Sequence, residues 1–216
     1  MAELKVIEKP ESVSYDVIRG VLQEAHRENI ARGIVSRTVT YSADDLAGRA
    51  LSRDEKTFVA MDGDKVVGTV SCRKAQRKKW YHKGPVILMQ MIGVLPDYQG
   101  RGIMTGLVEA VVREARESGL NVIYIDVAER NTKMLRAAGK RGFVPVELTA
   151  PHSPHYCIVM LKWLDGCPFS SVKILWNYRK SRIRTKLKFK PGRIRRFPGR
   201  TKQLPDKTSE AGDKDE

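Results

Sequence analysis

Gln99-Gly100-Arg101-Gly102-Ile103-Met104 joins an apolar run over residues 86–94 to a stretch, residues 103–117, in which Leu107, Val108, Val111, Val112 and Ala115 recur at helical spacing. The hexapeptide therefore reads as a strand-to-helix turn. Glycines at 100 and 102 permit backbone angles that other residues resist, and they remove Cβ atoms that would hold a bound group off the main chain. The first turn of a helix offers unpaired N–H groups and the positive end of its dipole. A phosphate-bearing ligand is the first expectation. The turn belongs to neither common nucleotide loop: no Gly-Lys-Ser/Thr follows it, and the third glycine of a Gly-x-Gly-x-x-Gly pattern would fall on Thr105.

Downstream, Gly119 ends the helical pattern and residues 122–127 read as another strand. Strand, turn, helix and strand make a βαβ unit, whose two strands run parallel through a right-handed crossover. Upstream, residues 4–8 read as a strand, residues 14–31 as one helix, and Ser42 caps a helix running to Leu51. Residues 57–61 and 66–73 flank Asp62-Gly63-Asp64, the pattern of an antiparallel hairpin. Residues 73–85 are polar and basic and end in Gly84-Pro85, which predicts an exposed loop. Residues 131–141 read as a short helix closed by Gly142, followed by strands at 143–148 and 155–163. The sheet is thus expected to be mixed.

A chain of 216 residues, 41% hydrophobic, has room for one domain with a sizeable core and an appendage. No run of about 18 apolar residues is present, and the first residues lack a basic segment followed by an apolar one. Cys72, Cys157 and Cys167 are widely spaced and odd in number, so they are expected to be reduced thiols holding no metal. These readings place the chain in the cytoplasm, with the inner face of a membrane as a second station. Charge is unevenly distributed. Of the net +15, residues 171–204 contribute 13 basic side chains and no acidic ones, residues 206–216 carry −3, and residues 1–170 keep +5.

In this order of elements the chain resembles the GCN5-related N-acetyltransferases over residues 4–163. The stretch from Ile92 through Gly93, Val94, Pro96 and Gln99-Gly100-Arg101-Gly102-Ile103 is similar to the family's strand, turn and pyrophosphate loop. Asn131 and Lys140-Arg141-Gly142-Phe143 match its later Asn and Gly-Phe segment. The resemblance implies a mixed, mostly antiparallel central sheet with a splayed parallel pair, flanked by helices. It implies acetyl-coenzyme A as co-substrate, no metal, and an amine-bearing acceptor. The pyrophosphate would rest on the backbone of Gln99, Gly100, Arg101, Gly102, Ile103, Met104 and Thr105. The pantetheine arm would lie along Ile92, Gly93 and Val94, with Asn131 on the far side, and the Val94 N–H or a near neighbour would polarise the acetyl carbonyl.

The chain departs from the family pattern at three places. Met104 stands where a small residue is usual, Ala138 stands where many members carry a tyrosine acid, and Leu88, Met89 and Gln90 occupy the strand positions where some keep a glutamate base. Direct attack by an already neutral amine in a ternary complex would need neither group. Tyr156 is the leading side-chain substitute, with His152, His155, Tyr81 and His82 behind it. A coenzyme-binding domain that does not catalyse is the alternative.

The division expected along the chain is a catalytic domain over residues 1–165, a basic extension over 166–204 and a disordered tail over 205–216. The extension is ambiguous between helix and strand, since Val172, Leu175, Trp176, Ile183 and Leu187 share a helical face while residues 183–190 alternate with period two. Its charge fits an anionic membrane surface, a nucleic acid, or a solvated arm lying on its own domain or on a second copy in a homodimer.

Overall fold

The structure, a computed structural model, describes residues 4–34, 37–150 and 155–188. Its strands are β1 (Leu4–Glu8), β2 (Lys56–Asp62), β3 (Lys65–Lys79), β4 (His82–Val94), β5 (Val122–Ala128), β6 (Val144–Thr149) and β7 (Cys157–Trp163). They form one sheet in the order β1-β2-β3-β4-β5-β7-β6. Every neighbouring pair is antiparallel except β4 and β5. The helices are α1 (Tyr15–Ala25), α2 (Arg27–Ala31), α3 (Ala43–Ser52), α4 (Ile103–Glu117), α5 (Thr132–Gly139) and α6 (Ser171–Lys188).

Strand alternation sorts the core onto two faces. Ile87 and Met89 of β4 and Ile123, Ile125 and Val127 of β5 point to the face covered by α4, through Leu107, Val108 and Val111. Val86, Leu88, Val122 and Tyr124 point the other way and pack with Val159, Leu161 and Ile174. On that second face the N-terminal half of the sheet is covered by Ile18, Val21 and Leu22 of α1 and Leu46 of α3. Ser42 caps α3 in a reciprocal capping box with Asp45, which fixes where that helix starts.

Three expectations are corrected or resolved. The helix expected over residues 14–31 is two helices, broken at His26 (φ −103°, ψ 4°), whose ring is tied to the sheet rather than to solvent. The loop expected over 73–85 is a two-stranded ribbon: β3 and β4 stay paired out to Lys79 opposite His82. Charge hid this ribbon, because Arg73, Ala75 and Arg77 are half-buried while Lys74, Gln76 and Lys78 are exposed, and long arginine stems can cover a strand face. At its tip Tyr81 is 2% exposed and donates to Glu147 at 3.0 Å, and Lys79 meets the same carboxylate at 3.2 Å.

The ambiguous extension is helical over α6. β6 is an edge strand, and α6 covers it by polar contacts rather than an apolar stripe. The Leu148 N–H donates to Ser181 Oγ at 3.0 Å, Thr185 Oγ1 donates to the Leu148 carbonyl at 2.9 Å, and Lys186 meets Glu129 at 3.0 Å. Trp176, Ile183 and Leu187 remain exposed. His152 and residues 189–216, including the tail expected to be disordered, lie outside the described residues.

Candidate active site

β4 and β5 pair only at Ile87 with Ile123 and Leu88 with Tyr124, then diverge. The divergence coincides with a bulge. Ser71 faces Gln90 and Thr69 faces Gly93, so Met91 and Ile92 together stand opposite Val70. Met91 takes φ +49°, a conformation that costs a non-glycine residue about 1–2 kcal/mol, and its 2% exposed side chain is locked among Val59, Leu22 and Leu46. The gap between residues 89–92 and 125–128 is an inner cavity of about 340 Å³. An outer cleft of about 580 Å³ continues from it, and His26, Asn29, Ile92, Asn131 and Met134 border both.

The outer cleft brings together most of the cofactor residues expected from sequence: Ile92, Gly93 and Val94 on β4, Gln99, Gly100 and Gly102 in the turn, Ile103 and Met104 on α4, and Asn131, which caps α5 by accepting from Met134 N–H at 3.1 Å. Gly100 and Gly102 take φ +81° and +80°, and a Cβ on either would meet no protein atom within 4 Å. The protein's own packing therefore leaves the cradle open over the start of α4. Two expected residues stand apart. Arg101 lies over the Tyr98 ring at 4.9 Å, and Thr105 is engaged at both ends, its N–H donating to the Gly102 carbonyl at 2.8 Å and its hydroxyl accepting from Arg141 at 2.9 Å.

The rim is basic: Lys140 and Arg141, quoted above only as part of the Gly-Phe match, are joined by Lys133 and Arg136, which no motif marked. Lys133 is paired with Glu28 across the cleft. Arg141 donates to the Ala137 carbonyl at 2.8 Å and to Thr105, while its Nε is buried with no protein partner. An open glycine cradle at a helix start, beside a rim of basic side chains, fits a phosphate-bearing coenzyme. Coenzyme A would be held there by the backbone of Gly100 to Met104 and by this basic rim.

His26 stands where the two cavities meet. Its Nε2 lies 3.0 Å from the Ile92 carbonyl, and a carbonyl can only accept, so the proton is on Nε2 and Nδ1 carries the lone pair. Burial pushes its pKa below the ordinary 6.5, against the raising effect of that hydrogen bond. The ring is neutral at pH 7. In the inner cavity Gln90 donates to Glu55, whose carboxyl burial raises above the ordinary carboxylate range despite nearby Arg49, Arg73 and Arg53. Burial and Asp126 push the Cys157 thiol up to about 11, which makes it a poor nucleophile. Among the described residues no group of three or more His, Cys, Asp or Glu side chains is placed to hold a metal ion.

The side chains offered as catalytic substitutes lie elsewhere. Tyr156 accepts the Glu129 N–H on its carbonyl at 2.8 Å and turns its ring toward Lys186, 6.0 Å away, outside the residues that line either cavity. His155 bonds to the Gly33 carbonyl, Tyr81 is bound to Glu147, and His82 bonds to the Pro85 carbonyl at 3.0 Å. Ala138 is the buried residue of α5, and its neighbour Ala137 lines the cleft. His26 carried no motif; the helix break that aims it was not legible.

This architecture is shared with known proteins. In sequence, an N-alpha-acetyltransferase MAK3 of Arabidopsis thaliana is 28% identical over 119 residues, 55% of this chain and 55% of that protein, and N-alpha-acetyltransferase 30 of Schizosaccharomyces pombe is 28% identical over 91 residues, 41% of this chain and 57% of that one. The chain thus spans little more than half the length of these curated relatives. In structure, the NatC complex bound to Gag peptide and CoA superposes with a TM-score of 0.58 at 14% identity, covering 75% of this chain and 99% of that one. YncA of Salmonella typhimurium with its cofactor acetyl-CoA gives 0.56 at 15% identity, covering 77% and 96%. The family described as the acetyltransferase (GNAT) family matches residues 22–143, which run from α1 through the bulge, the glycine turn and α5. The chain belongs to the GNAT acetyltransferases.

Proposed function

We propose that this chain is an acetyl-coenzyme A-dependent N-acetyltransferase acting on a primary amine. The observation that carries this reading is the splay of β4 from β5 beyond Leu88, which runs straight into the open glycine cradle at the start of α4. The family membership and the N-alpha-acetyltransferase relatives support acetyl transfer to an amine.

The outer cleft would take the coenzyme and the inner cavity the acceptor, so the two meet in a ternary complex beside Ile92 and His26. There the amine nitrogen attacks the acetyl carbonyl, the N–C bond forms, and the C–S bond breaks with its electron pair leaving on sulfur. The amine must lose a proton. Neutral His26, with its lone pair on Nδ1, is placed to receive it, and orientation in the cleft supplies the rest of the acceleration. Backbone N–H groups of the bulged strand near Val94 would polarise the carbonyl.

The test is release of free thiol from acetyl-coenzyme A in the presence of a panel of primary amines, with mass spectrometry of the products. Stoichiometric thiol and N-acetylated amine are expected. Tight coenzyme binding without turnover on any amine would favour a non-catalytic coenzyme-binding domain.

A further inference from the structure

The inner cavity has a polarity that amine transfer alone does not require. Arg49 of α3, Arg53 just beyond that helix and Arg73 of β3 all border it. The carboxylate among them is Glu55, whose side chain is fully covered, accepts from Gln90 and stands 3.8 Å from Arg49. One hidden carboxylate against three guanidinium groups leaves this wall positive. Burial and the charges of Arg53, Arg49 and Arg77 all press against the charge on Arg73. The Nε atoms of Arg49 and Arg73 are buried with no protein partner. Arg49 is otherwise fixed, donating to Tyr41 at 3.1 Å and to Gln90 at 3.3 Å. Across the cavity stands Asp126 on β5.

We propose that the acceptor is an amine that also carries a carboxylate, and that Arg53 and Arg73 hold this carboxylate while Arg49 completes the cationic wall. The inference rests on the acetyltransferase reading and names the substrate class of the same site. A guanidinium fork matches a planar carboxylate in two parallel hydrogen bonds, which fixes orientation as well as charge. A carboxylate at the Arg53 and Arg73 wall leaves the ammonium end of the same molecule to the side bounded by Asp126 and His26. Two sources share this chemistry: a small amino acid, and a peptide with an acidic residue next to its terminal amine.

Matched pairs separate them: 4-aminobutanoate against its amide, and the dipeptide Ala-Glu against Ala-Gln, both dipeptides amidated at the C-terminus. The carboxylate member of at least one pair is expected to have a kcat/KM about tenfold higher, and the pair that shows it identifies the source. In Arg53→Gln and Arg73→Gln that ratio is expected to collapse to within about twofold of unity. Glutarate, which carries carboxylates and no amine, is titrated calorimetrically into the same three proteins. Binding to wild type and its loss in both variants supports the carboxylate seat even if no amine is turned over, so failure of transfer and failure of this inference are distinguishable. Equal use of both members of both pairs, equal loss for both members in the variants, absence of glutarate binding, or a preference for O-phosphoethanolamine over every carboxylate would overturn it.

Discussion

His26 and Ile92 are joined by a 3.0 Å hydrogen bond that spans from the end of α1 to the bulge of β4. The bond does two things at once. It ties down the residue at which the N-terminal helix breaks, and it fixes the imidazole tautomer with the lone pair on Nδ1, in a ring that borders both cavities. Glutamine at this position can still donate to the Ile92 carbonyl but cannot accept a proton at neutral pH. His26→Gln is therefore expected to lower kcat by about 10²–10⁴-fold while leaving the coenzyme dissociation constant within about threefold of wild type. Steady-state kinetics beside calorimetry check this; an undiminished kcat would remove His26 from the mechanism.

The same ring has a sign-definite effect on stability. Its folded pKa lies below the ordinary 6.5, so between the two values the unfolded chain binds the proton and the folded chain does not. Stability from this group is complete above 6.5 and is lost as pH falls from there toward the folded value. Denaturant melts of wild type and His26→Gln between pH 8 and 5 should show a steeper acid-side loss in wild type. Parallel curves would contradict the assignment of a buried neutral imidazole.

Tyr81 is a structural residue at the ribbon tip, holding Glu147 of β6 at 3.0 Å. Removing its hydroxyl deletes one hydrogen bond and leaves a half-buried carboxylate short of a donor. Tyr81→Phe should cost about 1–3 kcal/mol in urea unfolding and leave acetyl-coenzyme A binding as it was. A loss of turnover beyond the loss of folded protein would return this tyrosine to the catalytic candidates.

The polar seam between α6 and β6 predicts how the basic extension is held. Ser181 and Thr185 satisfy the N–H and carbonyl of Leu148 on the open edge of the sheet, and Ile174 is 6% exposed within the core beneath. Replacing both hydroxyl residues with alanine should destabilise the protein by about 1–3 kcal/mol. Hydrogen exchange at the Leu148 amide should rise with it. If exchange there is unaffected, α6 does not cover the edge in solution.

What could be read in the sequence follows from where the physics is local. The glycine turn, the Ser42 cap and the Asp62-Gly63-Asp64 hairpin are each set by a few adjacent residues, and each is found in place. The ribbon over residues 73–85 was hidden because its strand character depends on pairing with a partner and on arginine stems lying flat, and neither shows in a run of basic residues. α6 resisted reading for a related reason: two hydroxyls hold it to β6, Lys186 and Arg182 pair with Glu129 just beyond β5, and Ile174 is its one buried apolar side chain, which leaves no apolar period. The residues proposed for the cofactor were marked by a short motif, and most of them line one cleft. The proposed catalytic and acceptor sides were not, because Arg49, Arg73 and Gln90 come from three separate elements, His26 from the break between α1 and α2 and Glu55 from the segment before β2, and only the fold gathers them.

The central claim is that the backbone at the start of α4 seats the diphosphate of the coenzyme, and calorimetric titration of acetyl-coenzyme A into wild type and Gly102→Asn tests it most directly. Asparagine tolerates the left-handed angle at position 102, and a Cβ there meets no protein atom within 4 Å, so the fold is expected to survive while the cradle is filled. The account predicts binding at roughly micromolar strength in wild type and a loss of at least about tenfold in the variant at an unchanged unfolding midpoint. Absence of heat in wild type, or equal affinity in the two proteins, would contradict it.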